Sequence, residues 1–179
     1  MDAFALVVAA LRKARCSFLV TGVWGANYYA QGSLFVTQDQ DLFLPLDPGN
    51  LLLAWTTLAD LGLELFANEE PLDHPRDLDL ARTVVERAAL TVATDHSLLQ
   101  VDLSLVMTGL EFHDVWARRR TFTAAGVEIP VASLADIVAA KHAANRPKDQ
   151  LFLATHAEEL RRLLRAFGES ADPPPGLPS

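Results

Sequence analysis

The sequence predicts an α+β fold in which a small mixed β-sheet is flanked by helices and followed by a helical C-terminal part. Three observations support this fold class. Helical and strand-like apolar patterns alternate over residues 1–130, helical patterns alone fill residues 131–167, and half of the 179 residues are hydrophobic. A chain of this size buries enough surface to fold as one domain. We therefore predict a domain over residues 1–167 and a proline-rich, disordered tail over residues 168–179.

The first elements follow from apolar spacing and from turn residues. Apolar side chains at helical spacing over residues 4–11 predict a helix, and the branched, apolar run SFLVT predicts a short buried strand after it. The segment VWGANYYAQG is typical of a short helix closed by Gly32. The run DLFLPL, which follows Thr37, predicts a second strand that Pro45 stops.

The next segment combines a well-marked helix with an irregular stretch. A helix is predicted from about Pro48 to Leu61, with Asp47 as its N-cap and Gly62 as its C-cap. Residues 71–82 are polar and carry two prolines among many charges. That composition is typical of a mobile or active-site loop.

Two hairpins and a short helix are predicted in the second half. Residues 88–93 and 98–106 are strand-like runs joined by the turn TDHS. A short helix is predicted around residues 111–119. The segment TFTAAGVEIPV then predicts a hairpin that turns at Ala125-Gly126.

Two helices are predicted in the C-terminal part. Ser133, with Asp136 three residues later, forms a variant of the capping box and predicts a helix to about Ala144. Pro147 suits the first turn of a helix, so the sequence predicts one long final helix over residues 148–167.

Composition excludes several classes of protein. A single cysteine, Cys16, allows neither an internal disulfide nor a cysteine-based zinc site. A net charge of −8 has the wrong sign for a protein that coats nucleic acid non-specifically. No apolar run is long enough to span a bilayer, and Asp2 stands where a signal peptide would be basic. These features predict a cytoplasmic protein.

Other polar and aromatic groups leave two interpretations open. The five histidines lack the HExxH and HxxxH spacings of metal sites, which disfavours a histidine-based metal centre. The run Arg118–Arg120 fits either a charged helix end or a phosphate-binding patch. Trp24, Tyr28 and Tyr29 fit either core packing or stacking on a nucleobase.

Three aspartates form the strongest candidate site. Asp39 and Asp41 are two residues apart at a predicted strand, so both side chains can lie on one face of the sheet. Asp102 interrupts an apolar strand and is the natural third carboxylate if the two strands are neighbours. Clustered hard oxygen ligands favour Mg²⁺, which takes its remaining ligands from water and phosphate.

Motifs around these aspartates resemble one known superfamily. GVWG at residues 22–25 resembles the glycine motif of lincosamide and aminoglycoside antibiotic nucleotidyltransferases, and TQDQDL at residues 37–42 resembles the motif of minimal and abortive-infection-type nucleotidyltransferases. LAD at residues 134–136 and AKHAANRPKD at residues 140–149 are similar to the closing helices of the latter group. The resemblance covers residues 17–165 and implies a DNA polymerase beta-like fold, with residues 1–130 as the sheet-containing catalytic core.

The resemblance implies transfer of a nucleoside monophosphate from a nucleoside triphosphate to a hydroxyl of an unidentified small molecule, RNA or protein. Asp39, Asp41 and Asp102 would be catalytic and would hold two Mg²⁺ ions, with Asp102 also able to take the proton. The implied nucleotide-binding residues are Gly22, Val23, Trp24, Gly25, Thr37, Lys141, Arg146 and Lys148. The three basic residues equally fit solvated charges on an outer helix face.

Two departures from the motif keep alternatives open. Val23 stands at the usual second glycine, and residues 33–36 lack a basic residue. A catalytically silent member of the fold, acting as a partner-binding or antitoxin-like protein, is one alternative, and a metal-dependent phosphohydrolase is another. A homodimer or a toxin–antitoxin partner is compatible with the sequence. The net acidity favours a cationic small-molecule acceptor over RNA.

Overall fold

The computed structural model describes residues 3–32 and 34–170, which form eight helices and eight strands. The helices are α1 (Ala3–Lys13), α2 (Gly22–Tyr29), α3 (Pro48–Asp60), α4 (Leu78–Glu86), α5 (Phe112–Arg118), α6 (Leu134–Ala144), α7 (Pro147–Thr155) and α8 (Ala157–Ala166). The strands are β1 (Leu19–Val20), β2 (Gln40–Phe43), β3 (Glu64–Ala67), β4 (Glu70–Pro71), β5 (Thr91–Thr94), β6 (Gln100–Ser104), β7 (Arg120–Ala124) and β8 (Val127–Val131).

All the strands belong to one mixed sheet, in the order β4-β3-β5-β6-β2-β1-β8-β7. The β2–β6 and β1–β8 pairs are parallel, and the other neighbouring pairs are antiparallel. The predicted α+β class with a mixed sheet and flanking helices is therefore confirmed. Both predicted hairpins are present, as β5–β6 and β7–β8.

Helices α1 and α3 supply much of the core. In α1 the buried side chains Phe4, Val7, Val8 and Leu11 recur at helical spacing and line one face. Each such side chain contributes about 1.5–3 kcal/mol through burial of apolar surface. In α3 the largest buried side chain is Trp55, whose indole N–H donates to Thr91 Oγ1 on β5 at 3.1 Å. That bond ties α3 to the sheet and satisfies the indole N–H, while the apolar surface of Trp55 is buried.

The predicted N-caps of α3 and α6 are confirmed. Asp47 accepts a hydrogen bond from the backbone N–H of Asn50 at 3.0 Å, and Ser133 Oγ accepts from Asp136 N–H at 3.0 Å. The C-cap of α3 is Leu61 rather than the predicted Gly62, which follows Leu61 with a φ of +84°, the left-handed conformation that closes helices.

The prediction of a loop over residues 71–82 is wrong for its second half. Helix α4 begins at Leu78, because Asp77 accepts hydrogen bonds from the N–H groups of Asp79 and Leu80 at 3.1 and 3.0 Å. Ala81 and Val84 are buried three residues apart. The high charge of this segment belongs to the solvent face of an amphipathic helix, and counting charge alone hides that apolar spacing.

The single final helix over residues 148–167 is also wrong, because two helices meet at His156. The His156 ring packs against Phe35 and Phe152, with centroid distances of 4.8 and 5.0 Å. Further upstream, β5 begins at Thr91 rather than at residue 88, because Ala88 has a left-handed φ of +47°.

The C-terminal end of the described chain is joined to the domain. Glu169 accepts hydrogen bonds from the Arg120 side chain at 2.9 Å and from Ala135 N–H at 2.8 Å. Residues 171–179 of the predicted tail lie outside the described residues. Among the helices within residues 3–32 and 34–170, none is both long and apolar enough to cross a membrane.

Candidate active site

Two of the three predicted carboxylates lie on neighbouring strands. β2 and β6 are parallel, and their register places Asp41 directly beside Asp102. Adjacent strands lie about 4.8 Å apart, and residues in register present their side chains to the same face. Asp39 lies two residues before Asp41, just ahead of β2. The parallel pairing therefore brings together the carboxylates that the sequence separates by more than 60 positions.

Burial and neighbouring negative charge raise the proton affinity of Asp41 and Asp102. Burial raises the pKa of Asp41 to about 6, and the charges of Asp102 and Asp39 add to that effect, while Lys141 and Lys148 oppose it. Burial and the charge of Asp39 also raise the pKa of Asp102, against a hydrogen bond from Gln100. Half-buried like charges of this kind are stabilised by a bound cation.

Gly22 fits the start of α2 closely against Asp41. A Cβ at Gly22 would lie 1.9 Å from Asp41 Oδ2, and the φ of Gly22 is +63°, so only glycine is accommodated. Thr21 N–H donates to the Asp41 carbonyl at 2.9 Å, which holds the two segments together. No side chain caps the beginning of α2. The beginning of α2 therefore lies next to Asp41, and the free N–H groups at a helix N-terminus bind phosphate in many proteins.

Gly25 allows α2 to pack closely on its neighbours. A Cβ at Gly25 would lie 3.0 Å from Ile137 Cδ1 and 3.2 Å from the Val20 carbonyl oxygen. The glycine therefore brings α2 against β1 and α6.

The remaining predicted residues of this motif lie in or beside the core. Val23 and Trp24 are half-buried and pack against the main hydrophobic cluster, and the Trp24 ring meets Phe4 edge-on at 5.6 Å. Tyr29 is buried and donates from its hydroxyl to the Ala132 carbonyl at 2.9 Å. Thr37 Oγ1 lies 3.4 Å from the Asp39 carbonyl oxygen, at the entry to β2. For Trp24 and Tyr29, these contacts favour the core-packing interpretation.

The structure separates the three predicted basic residues. The charges of Lys141 and Lys148 act on Asp41, and that of Lys148 also acts on Asp102. Arg146 instead donates to Asp149 Oδ2 at 2.6 Å, and Lys141 Nζ donates to Asp149 Oδ1 at 3.1 Å. Lys148 influences the carboxylates through its charge and has no hydrogen bond or ion pair among the described residues.

Sequence reasoning missed two residues of this site. Gln100 Nε2 donates to Asp102 Oδ1 at 3.0 Å and orients that carboxylate. Their spacing of two residues on a strand was the available signal. Asp149 is 1% exposed and joins α6 to α7 through Lys141 and Arg146.

The arginines of the run Arg118–Arg120 have structural partners. Arg118 binds Asp136 through both carboxylate oxygens, Arg119 lies over the Trp116 ring, and Arg120 pairs with Glu169. These contacts favour the charged helix end over a phosphate-binding patch.

The aspartates fit magnesium by their chemistry. Within the part of the chain that the structure describes, no three carboxylate, imidazole or thiolate side chains converge closely enough to form a complete metal cage. Mg²⁺ does not need such a cage, because it commonly takes one or two carboxylates together with water and substrate phosphate. Asp41 and Asp102, side by side and with raised pKa values, are a donor set of that kind.

Comparison with known proteins supports the class of fold that the sequence predicts. No protein family matches the sequence, and no curated protein does. Solved structures similar to this chain have a nucleotidyltransferase-type fold. Both of these similar structures are of ANT(2'')-Ia, one a solution structure of that antibiotic-resistance factor and the other a crystal structure of it in complex with adenylyl-2''-tobramycin.

The similarity extends over nearly the whole chain. The solution structure is 16% identical, with a TM-score of 0.51 over 93% of this chain and 92% of the other. The crystal structure is 14% identical, with a TM-score of 0.51 over 90% and 92%. At these identities the likeness establishes the fold. The resemblance to abortive-infection-type proteins stays a prediction.

Proposed function

We propose that this protein is a magnesium-dependent nucleotidyltransferase that moves a nucleoside monophosphate from a nucleoside triphosphate to a hydroxyl group. The observation that carries the proposal is the in-register pair of Asp41 and Asp102, with Gly22 packed against Asp41 so closely that no side chain fits between them. This arrangement keeps a concentrated negative charge next to an uncapped helix N-terminus. The first feature suits a metal ion and the second suits a phosphate.

Each part of the site has a role in this reaction. The acceptor oxygen forms a bond to the α-phosphorus, the bond from that phosphorus to the bridging oxygen breaks, and pyrophosphate leaves with the electron pair. Asp102 takes the proton of the attacking hydroxyl, and Gln100 orients the Asp102 carboxylate. Lys141 and Lys148 offset charge on the triphosphate. Asp41 and Asp102, with Asp39 two residues before Asp41, would hold Mg²⁺, which would supply Lewis-acid stabilisation of the phosphate oxygens.

The proposed acceptor is a small molecule. ANT(2'')-Ia was crystallised with adenylyl-2''-tobramycin, an adenylylated antibiotic, and its fold is shared by this chain. The net charge of −8 attracts cations and repels polyanions such as RNA. A hydroxyl-bearing, cationic small molecule is therefore the first acceptor class to screen.

Calorimetric titration tests the donor half of the proposal. ATP, CTP, GTP and UTP are titrated with and without Mg²⁺ into the native protein, Asp41→Asn, Asp39→Asn and the surface control Asp60→Asn. We expect one or more triphosphates to bind only with Mg²⁺, and binding to be lost in both site variants but retained in the control. Pyrophosphate release on addition of acceptor then identifies transfer, whereas release of inorganic phosphate without acceptor identifies a phosphohydrolase.

Absence of triphosphate binding would contradict the proposal and favour the catalytically silent alternative. Val23 is the position to change next, because it occupies the helix start where a glycine is usual. Recovery of triphosphate binding in Val23→Gly would show that the valine side chain prevents binding in the native protein.

A further inference from the structure

The three C-terminal helices enclose a groove that is separate from the carboxylate site. The groove has a volume of about 510 Å³ and lies between α6, α7 and α8. Val138, Leu160 and Leu164 form its buried apolar floor. Ala154 and Ala157 line the corner between α7 and α8, where their small side chains leave the space open. This volume is in the range of small-molecule sites.

The lining of the groove carries an unpaired positive charge. Lys141 and Arg161 are its basic residues and Lys141 is paired with Asp149, whereas none of the described residues that line the groove is acidic. Arg161 has no ion pair among the described residues, whereas its neighbour Arg162 is paired with Glu159. The groove therefore attracts anions, whereas the protein as a whole, with its net charge of −8, attracts cations.

We propose that this groove binds a small organic anion with an apolar or aromatic body. The body lies on the floor of Val138, Leu160 and Leu164, and the anionic group lies at the mouth beside Arg161 and His142. The groove shares Lys141 with the proposed triphosphate site, but Asp39, Asp41 and Asp102 do not line it. The proposal does not depend on the proposed enzymatic activity.

Lys141 connects the two sites. Its Nζ is bonded to Asp149 at 3.1 Å, it lies 4.8 Å from the centroid of the Phe152 ring, and its charge acts on Asp41. It is therefore held in place by contacts other than the groove ligand. Arg161, with no such contacts among residues 3–32 and 34–170, is the cation that the ligand itself engages.

Two fluorescent probes that differ in one charged group test this site. 8-Anilinonaphthalene-1-sulfonate has an aromatic body and a sulfonate, and N-phenyl-1-naphthylamine has the same body without the charge. Each is titrated into the folded native protein, Ala154→Phe and Arg161→Glu at low salt. The matched controls are Ala143→Phe, an exposed position on α6 outside the groove, and Arg165→Glu, one turn beyond Arg161 and also outside it. The thermal midpoint of every variant confirms its folding, and Ala154→Leu replaces Ala154→Phe if the latter unfolds.

We expect Ala154→Phe to weaken binding of both probes and Arg161→Glu to weaken only the sulfonate, by at least about threefold. Neither control should change either affinity, and Mg²⁺-dependent triphosphate binding should be the same in Arg161→Glu as in the native protein. Equal sulfonate affinity in Arg161→Glu and Arg165→Glu would overturn the charge assignment. Unchanged binding in a folded groove-filling variant would overturn the site. A sulfonate affinity that falls as protein concentration rises would assign the groove to a second copy of the chain instead.

Discussion

Two aspartates in this domain show opposite ways of holding a carboxylate away from water. Asp149, which is 1% exposed, is bonded to both Lys141 and Arg146. Its burial would raise its pKa, but the two hydrogen-bonded cations outweigh burial and hold the pKa below its usual range. Asp41 lies beside Asp102 and has a pKa of about 6, because burial and like charge outweigh the opposing charges of Lys141 and Lys148.

The difference separates a structural charge from a functional one. At Asp149 the charge is neutralised within the protein, and the ion pairs join α6 to α7. At Asp41 the protein leaves negative charge uncompensated, which costs stability and is explained by a ligand that the charge attracts. Lys141 links the two regions, because it is bonded to Asp149 while its charge acts on Asp41.

The largest predicted effect comes from placing a side chain between α2 and Asp41. Gly22→Ala puts a methyl group 1.9 Å from Asp41 Oδ2 at a left-handed φ of +63°. Conformational strain and the clash together should lower the free energy of unfolding by about 4 kcal/mol, as measured by urea denaturation. Mg²⁺-dependent triphosphate binding should also be lost.

Gly126→Ala is the matched control for that substitution. Gly126 has a φ of +76° at the hairpin turn, and a Cβ there would meet no atom within 4 Å. We expect a loss of about 1–2 kcal/mol from the conformation alone. Equal losses in the two variants would show that the contact between Gly22 and Asp41 does not constrain the site.

The second prediction removes the charge of the paired aspartate. Asp149→Asn leaves Lys141, whose side chain is only 13% exposed, without a carboxylate, so the free energy of unfolding should fall by about 3 kcal/mol. Chemical denaturation at pH 7 measures the change. Asp60→Asn, at the exposed end of α3, is the control and should be nearly neutral. A neutral Asp149→Asn would refute the structural role of this ion pair.

The two regions also differ in how well the sequence predicts them. The pairing of Asp41 with Asp102 could be predicted from the sequence, because the DxD spacing and the lone aspartate in an apolar strand are both local patterns. The only further requirement is that the two strands be neighbours in the sheet. The role of Asp149 depends on the angle between α6 and α7. Asn145, with a left-handed φ of +50°, ends α6 and sets the direction of the chain into α7. The sequence marks that break but does not specify the angle.

Other differences between prediction and structure have the same physical origin. Helix α4 was hidden by its charged solvent face, and the break at His156 depends on Phe35, which is distant in the sequence. Local patterns predict the type of an element, whereas its boundaries depend on contacts made through tertiary packing.

The third prediction concerns pH and the unpaired aspartate. The pKa of Asp41 in the folded state, about 6, is above the ordinary aspartate pKa of 3.8, so the folded state binds this proton more tightly than the unfolded state. The free energy of unfolding should therefore fall as pH rises from about 4 to about 6 and become level above that range. Because Asp41 is partly exposed, we expect a loss of about 2 kcal/mol. Asp41→Asn should remove this component from the measured pH profile, and a native-minus-variant difference that rises with pH would contradict it.

The smallest predicted effect compares two cations at the beginning of α7, the N-cap residue Arg146 and Lys148 in the first turn. Arg146 pairs with Asp149, but its side chain is 58% exposed, so Arg146→Gln should lower the free energy of unfolding by only about 0.5 kcal/mol and leave triphosphate affinity unchanged. Lys148 has no ion pair among the described residues and acts on Asp41 and Asp102, so Lys148→Gln should leave stability nearly unchanged and weaken triphosphate binding severalfold. Denaturation and calorimetry on the two variants measure both quantities. The physical reason for the expected pattern is that the buried Asp149 carboxylate already offsets the charge of Arg146, whereas the charge of Lys148 remains available to a phosphate. The reverse pattern would assign Arg146 to ligand binding and Lys148 to the stability of the fold.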